Sequence, residues 1–214
     1  MGQYIYVIVT TKITMVHMMA QRGRPLSFNR DTALQQAMEL FWNKGYEGTQ
    51  LVDLTVAMNI NPPSFYSAFG SKKKAFYAAV ELYIKTVGAK AMDSLNEAVS
   101  VREGVRAMLE CSVEVATSNR SGGCLLILGV INHSQENEDV HAYLKTVRKN
   151  TLALIHSRIE KGVKDGELPD DTNVGKLASY FLGIMQAISL QSRDGVSKEE
   201  LMSLIEPAMA AIPS

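Results

Sequence analysis

Two consecutive prolines, Pro62 and Pro63, constrain this chain more than any other feature, because each fixes φ and removes a backbone donor. Such a pair is accommodated at the first turn of a helix, where the missing N–H groups have no partner in any case. Asn61 precedes them as a good N-cap, and Phe65, Tyr66 and Phe69 follow at helical spacing. The pattern predicts a short helix over residues 62 to 68. Ahead of it, residues 50 to 57 turn Leu51, Leu54 and Val56 or Ala57 to one side, with Thr49 as the expected cap. Residues 27 to 45 carry Ala33, Leu34, Ala37, Met38, Leu40 and Phe41 on a broad apolar face and end at Gly45. Two short helices joined by a tight turn and packed on a first helix make a helix-turn-helix.

Beyond residue 71 the helical period continues without strand-and-helix alternation, a glycine-rich phosphate loop or an internal repeat. A long helix is predicted from 72 to about 99. The next, 101 to 118, opens on a capping box of Ser100 and Glu103. An apolar segment follows at residues 122 to 131, then helices over 137 to 164, 173 to 191 and 197 to 211, the last opened by Ser197 and Glu200. The fold class is all-α: an N-terminal three-helix helix-turn-helix domain, residues 19–71, followed by a larger helical domain, residues 72–214.

Lys and Arg number 22 and Asp and Glu 22, so only the distribution of charge is informative. Residues 20 to 90 hold nine basic and five acidic side chains, a net of +4, and residues 91 to 214 carry a net of −5. A basic front and an acidic rear direct the front alone at a polyanion. Lys72, Lys73 and Lys74 are consecutive, which by itself is ordinary for a solvated face. Cys111 and Cys124 show no C-x-x-C spacing and fit a reducing cytoplasm. His133, His141 and His156 lack metal-ligand spacing, so neither a metal nor a cofactor is expected. Residues 1–18 are β-branched, aromatic and nearly uncharged. They read as an extension dispensable to the fold, with Met19 as an alternative start; a strand-like arm is the other reading. No stretch has the length and hydropathy of a membrane span.

The segment Gly45-Tyr46-Glu47-Gly48-Thr49 through Phe65-Tyr66-Ser67-Ala68-Phe69-Gly70-Ser71-Lys72 resembles the DNA-binding domain of the tetracycline-repressor family of bacterial transcription regulators. Gly45, Tyr46, Gly48, Thr49, Phe65, Tyr66, Phe69, Ser71 and Lys72 stand in register with that family's motif. Three departures are visible: Ala68 replaces a frequent His, Asn59-Ile60-Asn61 replaces a frequent Gly-Val-Ser, and Pro62 and Pro63 replace more flexible residues. The resemblance implies a sequence-specific reader of double-stranded DNA. It places Asn61, Pro63, Ser64 and Ser67 near base edges, where Asn suits adenine and Pro a thymine methyl. Tyr66, Thr49 and Lys72 are then expected on phosphates. Arg22 and Arg24, in a basic arm, are expected either in the adjacent minor groove or in unselective attraction to phosphate.

One helix-turn-helix reads one half-site, so a homodimer on an inverted-repeat operator is expected. Phe181, Leu182, Met185, Leu201, Leu204, Ile205 and Ala208 are candidates for a four-helix contact of the kind the family uses, a purely internal core being the alternative. The family commonly binds a small-molecule effector in its larger domain, which implies a ligand-responsive repressor. Cys111, Cys124, Leu125, Leu128, Tyr143, Phe181 and Met185 are the candidate pocket walls. Cys124 after Gly122-Gly123 is also a candidate thiol sensor, against the alternative of a small buried hydrophobe. A helical small-molecule carrier, an enzyme or an interaction protein with an incidental basic front is the competing class. No paired acid and base or activated nucleophile supports the enzyme.

Overall fold

A computed structural model of the chain describes residues 28–131 and 135–213. The extension over residues 1–18 and the arm arginines Arg22 and Arg24 lie outside the described residues.

Helix α1 spans Arg30–Gly48 and starts where the Asn29 side chain accepts from the N–H groups of Asp31 and Thr32. Ala33, Ala37, Met38, Phe41 and Trp42 form its buried stripe. Gly45, at φ 70° and ψ 174°, breaks the ladder where the sequence places the helix stop, and one further turn follows. Helix α2 spans Leu51–Ala57. Its cap is Gln50 rather than the expected Thr49, because Asp53 accepts from the Gln50 N–H at 2.8 Å and completes a capping box. Helix α3, Pro62–Phe69, begins on the two prolines with Asn61 as its cap.

Helix α4, Lys72–Tyr83, continues through a π-helical turn, Ile84–Gly88, into α5, Ala89–Glu97. The single rod expected over 72 to 99 is therefore present, but widened in the middle. Helix α6 is Val101–Thr117, capped as expected by Ser100, and the apolar segment contains only the short α7, Leu125–Leu128. Helix α8, Glu138–Lys164, and α9, Val174–Arg193, run long. The last expected helix is divided at Leu204 into α10, Lys198–Ser203, and α11, Ile205–Met209.

Two apolar cores result. The first gathers Met38, Phe41, Leu54, Phe65, Phe76 and Tyr83 from α1 to α4, with Leu125, Val130, Val140 and Leu144 from the far side. Phe41 meets Phe76 edge-on at 5.0 Å. The second core joins Leu95, Met108, Leu109, Ile155, Phe181 and Ile205 from α5, α6, α8, α9 and α11. Each fully buried side chain of this size stabilises the fold by about 1.5–3 kcal/mol. The change of core falls near the π turn, not at residue 71, so the first three turns of α4 pack with the helix-turn-helix. Arg158, only 6% exposed, is neutralised by Glu167 at 3.2 Å, and Glu167 also accepts from the Val101 N–H. Among the described residues no helix is long and apolar enough to cross a membrane.

Candidate nucleic-acid interface and the cavity behind it

The turn between α2 and α3 needs one left-handed residue, and Asn59 supplies it at φ 52°. Asparagine tolerates this conformation better than other side chains with a Cβ, which explains why the chain does without a glycine here. Asn61 Oδ1 accepts from the Ser64 N–H at 2.9 Å, so that oxygen is committed to the cap. Phe65 and Phe69 anchor α3 inward. Asn61, Pro62, Pro63, Tyr66 and Ser67 are exposed, and Ser64 is half-buried. Tyr66 is 52% exposed, and Val52 and Val56 on the neighbouring helix are 60% and 74% exposed. Sequence alone does not single out the two valines, since an apolar pair beside a buried stripe reads as core.

Thr49 is a correction. It is fully buried, and its hydroxyl donates to the Gly45 carbonyl at 2.7 Å, so it shapes the end of α1 and presents no side-chain group to phosphate. Lys72 lies 4.3 Å over the Tyr46 ring, a cation–π contact that holds it at the start of α4. Burial lowers its pKa, opposed by the charges of Glu47 and Asp53. Lys73 is ion-paired with Asp139 of α8, which removes it from the positive face. Arg30, which no sequence motif marks, sits 5.0 Å over the Phe69 ring beside the end of α3.

Behind this head lies a dense joint built on residues 122 to 129. Gly123, at φ 82°, lies so close to α9 that a Cβ there would stand 2.9 Å from the Ser189 carbonyl oxygen. Its own carbonyl accepts from the indole N–H of Trp42 at 2.8 Å. Because Gly45 breaks the α1 ladder, the Tyr46 N–H turns to the Gly129 carbonyl at 2.8 Å. Arg193, at the end of α9, donates to the carbonyls of Gly122, Asn43 and Trp42 at 3.0, 3.4 and 3.2 Å. The Asn43 side-chain oxygen is buried and has no hydrogen-bond partner among the described residues.

The same segment walls a cavity of about 70 Å³ between the two cores. Cys124, Leu126 and Ile127 line one side, Met92 and Val115 another, and Leu182 and Met185 a third. The π turn contributes Val87 and Gly88. Of the candidate pocket residues, Cys124 and Met185 line this cavity. Leu125 and Phe181 instead fill the two cores, Leu128 is buried outside the cavity lining, Cys111 packs against the second core, and Tyr143 lies against Tyr77 with ring centres 4.5 Å apart. The periodic pattern identifies these positions as apolar, but neighbouring helical positions point about 100° apart, so Leu126 and Ile127 take the places expected of Leu125 and Leu128. Burial raises the pKa of the Cys124 thiol, which the Tyr83 hydroxyl contacts at 3.3 Å. A neutral thiol does not match the activated thiolate expected of a sensor.

The dimer candidates divide similarly. Phe181, Leu201, Ile205 and Ala208 are buried in the chain's own second core, and Leu182 and Met185 face the cavity. Leu204 is half-buried. Tyr180, 41% exposed, and Leu190, 51% exposed, stand on α9 with exposed Gly183 between them.

A family model described as "Bacterial regulatory proteins, tetR family" matches residues 33–80. A second, "Tetracyclin repressor-like, C-terminal domain", matches residues 102–202. The HTH-type transcriptional repressor ComR of Escherichia coli (strain K12) is 32% identical over 185 residues, covering 86% of this chain and 88% of ComR. BdcR of the same organism, also named an HTH-type transcriptional repressor, is 27% identical over 196 residues, 89% of this chain and 92% of its own. The solved structure of a cysteine variant of the TetR family transcriptional regulator CifR is 40% identical, with a TM-score of 0.85 over 89% of this chain and 100% of that one. With both of its halves matched and this degree of identity along nearly the whole chain, the protein belongs to the tetR family of bacterial transcription regulators.

Proposed function

We propose that the chain works as a homodimeric repressor that reads an inverted repeat in double-stranded DNA and releases it when a small molecule enters the cavity. The observation that carries this reading is the double role of residues 122 to 129, which wall the cavity and also hydrogen-bond α1 of the reading head. A ligand that binds better when this segment is displaced shifts the population toward heads held in the wrong relation for DNA.

On the DNA, the first turn of α3 enters the major groove with Asn61, Pro63, Ser64 and Ser67 toward base edges. Tyr66 and Lys72 hold phosphates on either side, and Arg22 and Arg24 add an arm. The CifR variant was solved with a 26-base-pair double-stranded operator, which supports the same partner here. Residues 19 to about 83 form the head and the remainder the effector and dimerisation domain. Its two-fold contact uses the α9 face of Tyr180, Gly183, Ala187 and Leu190, where small residues let helices approach closely. The protein acts by binding and not by catalysis, in the bacterial cytoplasm where the DNA lies.

The dimer face gives the test. Replacing both Tyr180 and Leu190 by Glu is expected to yield a folded monomer by sedimentation that loses sequence-selective binding and retains weak salt-sensitive attraction. A monomer with undiminished operator affinity would refute the two-headed reading.

A further inference from the structure

The cavity contains one ionised side chain, Arg148, among its fifteen lining residues. Arg148 reaches in from α8, and among the described residues no carboxylate lies within ion-pair distance of it. Among the described residues one of its five N–H donors has an acceptor, the Leu126 carbonyl at 2.9 Å. Desolvation lowers its pKa, opposed by an interaction with Cys124. A partly buried, incompletely satisfied guanidinium is costly unless it has an occupant to serve.

The remaining polar groups around the cavity narrow the chemistry. The hydroxyls of Ser112 and Thr151 donate within their own helices, to the carbonyls of Met108 and Val147, so their hydrogens are already used. The Tyr83 hydroxyl donates only to the Cys124 sulfur at 3.3 Å, a poor acceptor from which it is readily drawn to a ligand oxygen. Ser189 Oγ accepts from the Cys124 N–H at 2.8 Å, and the rest of the lining is apolar, with Val87, Met92, Val115, Ile127, Leu182 and Met185 its larger side chains. The widened π turn borders the same space, a backbone feature that recurs at functional sites.

We propose that the effector is a small monocarboxylate with an apolar body, its carboxylate held by Arg148 and the Tyr83 hydroxyl and its hydrocarbon part against Met92, Val115 and Met185. This rests on the reading of the cavity as an effector site. A carboxylate matches the planar fork of a guanidinium in two parallel bonds, which a neutral amide or alcohol does not. Binding there presses on Leu126, whose carbonyl Arg148 already holds, and so reaches the segment that ties the cavity to α1.

The test is calorimetric titration of the full chain, free of DNA, with the monocarboxylates acetate through octanoate and with their primary amides. Operator affinity is measured separately with each probe present. At least one acid of intermediate length is expected to bind, and its amide to bind at least about tenfold more weakly, the loss expected of a charge-assisted bond. Arg148→Met is expected to abolish acid binding while keeping operator binding, and its melting temperature stays unchanged or rises because an unpaired charge has been removed. Tyr83→Phe supplies a milder variant, expected to weaken the acid without abolishing it. Equal binding of acids and amides, or acid binding that survives Arg148→Met, would overturn the proposal, as would no binding of any acid by a protein that still holds its operator. Acid binding without operator release would instead uphold the anion site and refute the release mechanism.

Discussion

Arg193→Met is the perturbation that asks most of the joint between the cavity and the reading head. The substitution keeps the apolar stem and removes three bonds from the guanidinium to the carbonyls of Gly122, Asn43 and Trp42. The bond to Gly122, at 3.0 Å, is of normal length and contributes about 1.5 kcal/mol net. The other two, at 3.4 and 3.2 Å, are stretched and contribute about 0.5 kcal/mol each. The expected loss is therefore about 2.5 kcal/mol, or roughly 5–10 °C in the thermal midpoint of a chain of this size. Arg193→Lys recovers less than half of it, since one ammonium does not span three carbonyls. The assay is urea unfolding followed by the emission of Trp42, the single tryptophan, whose indole N–H bonds to Gly123 within the joint. Effector response should weaken in parallel, because the tie between the cavity wall and α1 is loosened. A stability change below about 0.5 kcal/mol, together with an unaltered response, would refute the reasoning.

Three other substitutions probe the head. Lys72→Ala should weaken binding to all duplexes and reduce the slope of log affinity against log salt by about 0.9 for each phosphate left without its cation, read from anisotropy titrations at several salt concentrations. Tyr66→Phe is expected to weaken operator binding by about 1 kcal/mol with an unchanged circular dichroism spectrum, since the side chain is exposed and its hydroxyl makes no hydrogen bond among the described residues. Asn59→Gly should be nearly neutral in thermal unfolding, whereas Asn59→Val should cost about 1–2 kcal/mol, because a β-branched residue resists φ 52°.

The helical plan is legible because punctuation is local. Pro62-Pro63, the capping residues Asn61, Ser100 and Ser197, and the stop at Gly45 each act within one turn of where they stand. The exposed face of α3 follows from the same logic, once Phe65 and Phe69 are assigned to the core. What stays hidden depends on packing between residues distant in sequence. Thr49 reads as a cap until the kink at Gly45 turns its hydroxyl back on α1. Lys73 reads like its neighbours until Asp139, 66 positions away, neutralises it. Arg148 and Arg193 each look like one more surface charge on a long helix, and only packing shows one beside a cavity and the other clamped on α1. The cavity wall escapes residue-by-residue assignment for a related reason: hydrophobic pattern separates inside from outside, but does not distinguish core from cavity wall.

The measurement that bears most directly on DNA reading is selection of bound duplexes from a random pool by the purified full-length chain, followed by sequencing and by affinity measurement at physiological salt. The expected result is enrichment of an inverted repeat, two protomers per duplex, and a preference over scrambled DNA of about a thousandfold or more. Enrichment of no sequence, with selected and scrambled duplexes held equally and only through salt-sensitive attraction, would contradict the assignment of α3 as a reading helix.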